Sequence, residues 1–79
     1  MALQLKTAPM ILRRSQVEAR TGLSRSTIYG KLRNNSSRPK EFDPTFPKPI
    51  SIGEKAVGWF EHEINAWLTA QALKSRRGE

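Results

Sequence analysis

The sequence predicts a mainly α-helical domain with a small β-hairpin, arranged as a winged helix-turn-helix. Two short helices are predicted on either side of a glycine-containing turn at residues 22–24, and a hairpin is predicted at residues 50–60. A third, amphipathic helix is predicted to follow the hairpin. Helices joined by so short a turn cross steeply, and the second commonly enters the major groove of DNA. The hairpin would then form the wing beside that helix.

The first helix is predicted at residues 16–21. Ser15 and Glu18 form the S-x-x-E pattern of a capping box, in which the serine hydroxyl accepts from the third helical N–H and the glutamate reaches back. Gly22 is expected to adopt the left-handed conformation that ends the helix. Val17 would face the core.

The second helix is predicted at residues 25–33, with Ser24 as its N-cap. At about 100° per residue, Ile28 and Leu32 fall on one side, which would face the core. The opposite side is small, polar and basic, which suits contact with base edges and phosphates. The residues of this helix that are predicted to contact DNA are Arg25, Ser26, Thr27, Tyr29, Gly30, Lys31 and Arg33.

These residues differ in the role expected of them. Arg25 is the best candidate for guanine recognition, with a phosphate contact as the alternative. Ser26 and Thr27 could instead only cap the helix, and Tyr29 could instead only pack. Gly30 removes a side chain where the backbone could approach DNA closely. Lys31 and Arg33 are expected to contact phosphates, with a solvated position as the alternative.

The wing is predicted from two apolar alternations around a turn that contains glycine. The strands are expected at residues 50–52 and 56–60. Lys55 at the tip and Lys48 at the base are expected to contact the minor groove or the DNA backbone. Since a two-stranded hairpin is only marginally stable alone, it must pack on the helices.

The third helix is predicted at residues 61–73 because apolar residues recur along it at helical spacing. Its apolar stripe consists of Ile64, Trp67, Leu68 and Leu73. Trp67 and the strand residue Trp59 are each in phase with other apolar residues, so both are expected in the core. Residues 34–45 are rich in turn formers and are expected to form a loop.

The 79 residues allow one small domain, and the basic charge lies mostly in its first half. A flexible arm is expected at residues 1–9, the domain at 10–73 and a basic tail at 74–79. Residues 1–40 hold nine basic side chains and one acidic one, whereas the rest of the chain holds five and six. The cations coincide with the predicted helix-turn-helix, so Arg13 and Arg14 before the first helix are also expected to contact phosphates.

The residues offer little material for catalysis or metal binding. The chain has no cysteine and one histidine. The side chains of Glu61, His62 and Glu63 diverge by about 100° per residue, so they cannot converge on one ion. No glycine-rich phosphate loop is present. We therefore expect no enzyme, no catalytic residue, no cofactor and no metal site. No apolar run is long enough for a membrane span or signal peptide, which predicts a cytoplasmic, nucleoid-associated protein.

Four ordered blocks of sequence carry a family resemblance. They are Thr21-Gly22-Leu23-Ser24-Arg25-Ser26-Thr27-Ile28-Tyr29, Phe46-Pro47-Lys48-Pro49, Val57-Gly58-Trp59 and Glu63-Ile64-Asn65-Ala66-Trp67-Leu68, with Leu12-Arg13 before them. Over roughly residues 11–73 the chain resembles the AlpA-type prophage regulatory proteins, relatives of the small phage excisionases with a MerR-like winged helix. The resemblance implies a sequence-specific DNA-binding protein of a prophage or integrated island.

According to this resemblance, such a protein acts as a recombination directionality factor, as a transcriptional regulator of the integrase gene, or as both. The implied partners are double-stranded DNA at an attachment site or integrase promoter, a tyrosine integrase, and neighbouring copies of the chain on DNA. The alternative is a protein-interaction module that binds an integrase or another partner without strong DNA binding of its own. RNA binding is disfavoured, because the aromatic residues fall on apolar faces rather than on an exposed stacking surface.

Overall fold

The computed structural model describes residues 10–33 and 39–78, and the predicted winged helix-turn-helix fold is confirmed. The predicted arm at residues 1–9 lies outside the described residues, as do residues 34–38 of the predicted loop and the last residue. In chain order the elements are β1 (Ile11–Leu12), α1 (Arg14–Thr21), α2 (Arg25–Leu32), a 3₁₀ turn (Pro39–Glu41), β2 (Ile50–Gly53), β3 (Ala56–Phe60) and α3 (Glu61–Arg76).

Helix α1 begins two residues before its predicted start. Its N-cap is Arg13, in extended conformation, and the backbone N–H of Arg13 donates to Gln16 Oε1 at 2.8 Å. The predicted capping box of Ser15 and Glu18 is therefore wrong. Pairing of β1 with β3 holds the chain extended up to Leu12, so the helix can start directly afterwards. Glu18 instead forms an ion pair with Arg14, with Nε and Oε2 at 2.9 Å.

The turn between α1 and α2 has the predicted geometry. Gly22 has a φ of 77°, in the left-handed region, and its N–H donates to Glu18 O at 2.8 Å. Ser24 is the N-cap of α2, and its Oγ accepts from the Thr27 N–H at 3.2 Å. The side chain of Thr21 adds to the turn by accepting from the Leu23 N–H at 3.2 Å. The turn thus satisfies local backbone groups at both helix ends.

The wing belongs to a three-stranded antiparallel sheet with the order β1-β3-β2. Strand β1 was not predicted, because two residues cannot show an alternating pattern. It pairs Leu12 with Trp59, next to the point where the Glu61 N–H donates to Met10 O at 2.8 Å. At the wing tip Gly53 pairs with Ala56, so the connection has two residues rather than the predicted three. Lys55 occupies this turn with a φ of 61°.

The core lies between α1, α2, α3 and one face of the sheet. Both tryptophans are buried in it, as predicted. Leu73 is not, since 51% of its surface is exposed. Helix α3 continues to Arg76, beyond its predicted end, and Leu73 lies past the part that packs on the core. The buried core residues are Leu12, Val17, Ile28, Phe46, Trp59, Ile64 and Trp67, with Leu23, Leu32 and Leu68 packed against them.

Asp43 anchors the connection between α2 and β2 to both neighbouring helices. Its N–H donates to Lys31 O, near the end of α2, at 3.0 Å. Its Oδ2 accepts from the Trp67 indole of α3 at 3.1 Å, and its Oδ1 accepts from the Thr45 N–H and hydroxyl at 2.9 and 2.6 Å. The Phe46 ring meets Trp67 edge to face, with 5.0 Å between the ring centroids. This part of the predicted loop is therefore a fixed element of the fold.

The same contacts shift the pKa of Asp43. Burial raises this pKa, but the hydrogen bonds from Thr45 and Trp67 and the charge of Lys31 outweigh burial, so the pKa lies below its ordinary value of 3.8. Because folding depresses the pKa, the carboxylate contributes stability that is fully present above the unfolded-state pKa. That contribution is lost as the pH falls through the folded-state pKa.

We expect Asp43→Asn to lower the free energy of unfolding by about 2 kcal/mol at pH 7, because the amide cannot accept all the bonds that the carboxylate accepts. We also expect the variant to lose less stability than the wild type between pH 5 and pH 2. Urea unfolding at both ends of this range measures the two effects. Glu63→Gln, at an exposed position of α3, is the matched control for the lost charge. Equal stability and equal acid sensitivity of Asp43→Asn and wild type would contradict the anchoring role.

Candidate nucleic-acid interface

Helix α2 turns its apolar side inward and its polar side outward. Ile28 is completely buried, whereas Arg25, Ser26 and Arg33 are exposed. Thr27 is half-buried, and its hydroxyl lies 3.0 Å from that of Ser24, so this residue takes part in capping. The outward side of α2 therefore offers small polar and basic side chains to a ligand, as the sequence predicts.

The wing, the start of α1 and helix α2 border one groove of about 460 Å³. Three segments that are far apart in the chain form this groove, and three of the lining residues are basic. The groove is lined by Arg13, Arg14, Ser15, Tyr29, Lys55 and Val57. The structure thus brings four predicted site residues together: Arg13, Arg14, Tyr29 and Lys55.

The two arginines before and within α1 differ in their surroundings. Arg13 is exposed, whereas Arg14 is half-buried and forms the ion pair with Glu18. The acidic partner neutralises part of the charge that Arg14 adds to the groove. Arg13 and Lys55, both exposed, flank the groove from opposite elements and give it a positive potential.

Arg25 and Tyr29 lie one helical turn apart on the side of α2 that faces the groove. The Arg25 guanidinium carbon is 5.9 Å from the centroid of the Tyr29 ring, within cation–π distance. Tyr29 is half-buried. Its ring can therefore pack on the protein and support Arg25, so the packing role and the interface role that the sequence left open are compatible.

Gly30 and Lys31, two predicted contact residues of α2, both have neighbours from other parts of the fold. A Cβ added to Gly30 would lie 2.5 Å from Glu41 Oε1, so the space beside Gly30 is filled by this side chain. Any close approach of the helix backbone to DNA at Gly30 would therefore also involve Glu41. Lys31 is half-buried, with Nζ 5.3 Å from the centroid of the Trp67 ring. Its charge lies over the core aromatic and near Asp43, and its contact with a phosphate stays a prediction.

Lys48 is exposed but does not line the groove that contains Lys55. Sequence reasoning missed two lining residues, Ser15 and Val57. Ser15 was assigned to the helix cap, and no role was assigned to Val57, of whose surface 37% is exposed. The signal that could have revealed Val57 is its position next to the wing tip, where a hairpin extends past the core.

Glu61, from the cluster of Glu61, His62 and Glu63, contributes to helix packing. Glu61 Oε2 lies 3.0 Å from Nη1 of Arg20, which also donates to Asn65 Oδ1 at 3.2 Å and so joins α1 to α3. The ring of His62 lies 5.4 Å from that of Phe60. Across residues 10–33 and 39–78, no group of three His, Cys, Asp or Glu could hold a metal ion. In the same ranges no helix is long and apolar enough to cross a membrane.

Comparison with known proteins places these features in a family context. The family described as "Prophage CP4-57 regulatory protein (AlpA)" matches residues 10–72. The "DNA-binding transcriptional activator AlpA" of Escherichia coli (strain K12) is 45% identical over 64 residues, which cover 81% of this chain and 87% of that protein. The "Uncharacterized protein ORF88" of Enterobacteria phage P4 is 35% identical over 72 residues, covering 91% of this chain and 72% of that protein. No solved structure matches the chain significantly.

Proposed function

The chain belongs to the AlpA family of prophage regulatory proteins, and we propose that it regulates transcription by binding double-stranded DNA in a sequence-specific manner. The observation that carries the proposal is the groove in which Arg13, Arg14 and Lys55, from α1 and the wing, meet the polar side of α2. The relative from Escherichia coli is a DNA-binding transcriptional activator, which supports the same function. The family is one of regulatory proteins, which confirms the expectation that the chain is not an enzyme.

In the proposed complex α2 lies in the major groove, which is wide enough to admit a helix. Arg25 and Ser26 in its first turn face base edges or an adjacent phosphate, and Arg33 beyond its end faces the backbone. Arg13 and Lys55 neutralise phosphates on the side of the wing. Phosphate contacts of this kind position a protein on DNA, while the contacts of the helix to bases select the sequence.

The finer role that we propose is control of prophage or island excision, of the integrase gene, or of both. The excision role is architectural. Copies of the protein bound side by side near an attachment site would bend the DNA so that a tyrosine integrase assembles the excisive complex. The resemblance to small phage excisionases supports this role, and the same DNA contacts would serve at an integrase promoter. Such a protein acts in the cytoplasm, on the nucleoid.

A protein-interaction module remains the second candidate function, and one surface favours it. An apolar groove of about 380 Å³ runs beside α3 and is lined chiefly by Pro47, Ala66, Trp67 and Ala70. None of its lining residues belongs to the groove beside the wing. A partner protein could therefore bind there without contacting the proposed DNA surface.

A binding titration with a 30-base-pair duplex from the attachment region separates the two functions. About six to eight phosphate contacts predict that the logarithm of the association constant falls with the logarithm of salt concentration at a slope of about −5 to −7. Fluorescence anisotropy at 50–300 mM salt measures this slope. Weak binding with a flat slope would reject the DNA-binding function and favour the protein-interaction module.

Arg25 and Lys55 should differ in the kind of DNA binding that they support. We expect Arg25→Ala to weaken binding to the selected site by about 1–3 kcal/mol and to relax the choice of base at one position. Lys55→Ala should weaken binding to all sequences alike. Lys48→Ala is the control, because it removes the same charge outside the groove, and it should have the smaller effect. Wild-type affinity and specificity of Arg25→Ala would remove Arg25 from the interface.

Footprinting on the attachment and integrase-promoter regions tests the finer role. We expect protection of closely spaced sites in at least one of the two regions, with protection spreading cooperatively as protein is added. An excision assay with the cognate integrase should then respond to the protein if the attachment region is protected. Tight duplex binding elsewhere without protection of either region would contradict the role in excision or integrase control, while leaving DNA binding intact.

A further inference from the structure

Glu41 takes the place of a side chain on helix α2. Gly30 has no Cβ, and the position of an ideal Cβ there lies 2.5 Å from Glu41 Oε1 and 3.4 Å from both Cβ and Cδ of Glu41. The carboxylate thus lies directly against the helix, in the volume that a larger residue at position 30 would occupy. Glu41 itself is the last residue of the 3₁₀ turn.

A side chain at position 30 would point to the outward side of α2. At about 100° per residue, the directions of Ser26, position 30 and Arg33 fall within about 60° of one another. Ser26 and Arg33 are both exposed. Glu41 is half-buried against position 30, so we infer that its carboxylate borders the surface that the proposed function turns toward base edges. The basic groove borders the same surface on the side of Tyr29.

The fold holds Glu41 in this place. Two residues later, Asp43 is bonded through its backbone to Lys31 O and through its side chain to the indole of Trp67. These bonds fix the chain that follows the 3₁₀ turn to α2 and to α3. A carboxylate brought to a helix by a bonded segment loses less conformational freedom on binding than one on a mobile loop.

The chemistry of the group decides what it could contact in DNA. An ionised carboxylate only accepts hydrogen bonds, and phosphates repel it. In the major groove a carboxylate suits the exocyclic amino group of cytosine, which is a hydrogen-bond donor. A carboxylate can accept more than one hydrogen bond, so at this place it favours a sequence that supplies a donor.

We propose that Glu41, seated on Gly30, is a specificity-determining residue that accepts a hydrogen bond from a cytosine amino group in the bound DNA. The proposal rests on the DNA-binding function proposed above. The contact depends on two positions. Gly30 leaves space for the carboxylate, and the 3₁₀ turn places Glu41 beside the helix.

Selection of duplexes from a random library by the full chain, followed by sequencing, tests the proposal. The wild type should select cytosine at one position, with discrimination of about fivefold or more. Glu41→Ala should lose this preference while keeping the preferences at other positions. Glu63→Ala, which removes the same charge from an exposed position of α3, should leave the whole profile unchanged.

Gly30→Ala is the second variant. It keeps the Glu41 carboxylate but displaces it from its position against the helix. The added methyl group requires the carboxylate to move, and a flexible side chain can do so while the helix gains a residue of higher propensity. The variant should therefore stay folded by circular dichroism and lose the same cytosine preference as Glu41→Ala. This result would exclude unfolding as the cause.

Two results would overturn the proposal. One is an unchanged base profile in Glu41→Ala and Gly30→Ala. The other is an equal gain in affinity of Glu41→Ala for every sequence, which would show that the carboxylate only repels phosphates. If the wild type bound duplexes but selected no cytosine, the role of Glu41 alone would fail. If the wild type bound no duplex, the proposed function would fail with it.

Discussion

The left-handed turn at Gly22 determines which side of α2 is available to a ligand. Only a residue without a Cβ adopts this conformation readily, and here it ends α1 so that Ser24 can begin α2 two residues later. The direction of α2 then allows Ile28 to be buried completely and leaves Arg25, Ser26 and Arg33 exposed. The buried side of α2 thus joins the core, and the exposed side carries the residues that are available to a ligand.

The outward side of α2 is bordered differently on its two flanks. On one flank the wing and the start of α1 bring Arg13 and Lys55 beside Tyr29. On the other flank Glu41 lies against Gly30. The sheet holds the first flank in place, through β1 and β3, and Asp43 holds the second. The two flanks of the helix therefore differ in the chemistry of the groups that border them.

Local signals in the sequence predicted the parts of the molecule that local chemistry controls. The glycine turn, the cap at Ser24 and the inward side of α2 follow from spacing and residue type, and the structure has them. The capping box at Ser15 failed because a contact distant in sequence, between Leu12 and Trp59, decides where α1 begins. The anchor at Asp43 and the seat of Glu41 on Gly30 join residues through tertiary packing, which no local pattern encodes. The one feature of the sequence that hinted at the contact between Glu41 and Gly30 was the glycine inside a predicted helix.

The most direct test of the account is a nuclear magnetic resonance titration of the ¹⁵N-labelled protein with a duplex from the attachment region. Amide resonances report which surface meets the DNA. We expect the largest shift changes at Arg25, Ser26 and Arg33 and in the wing around Lys55, with little change at Ala66 and Ala70 of α3. Changes confined to the α3 surface, with α2 unaffected, would contradict it.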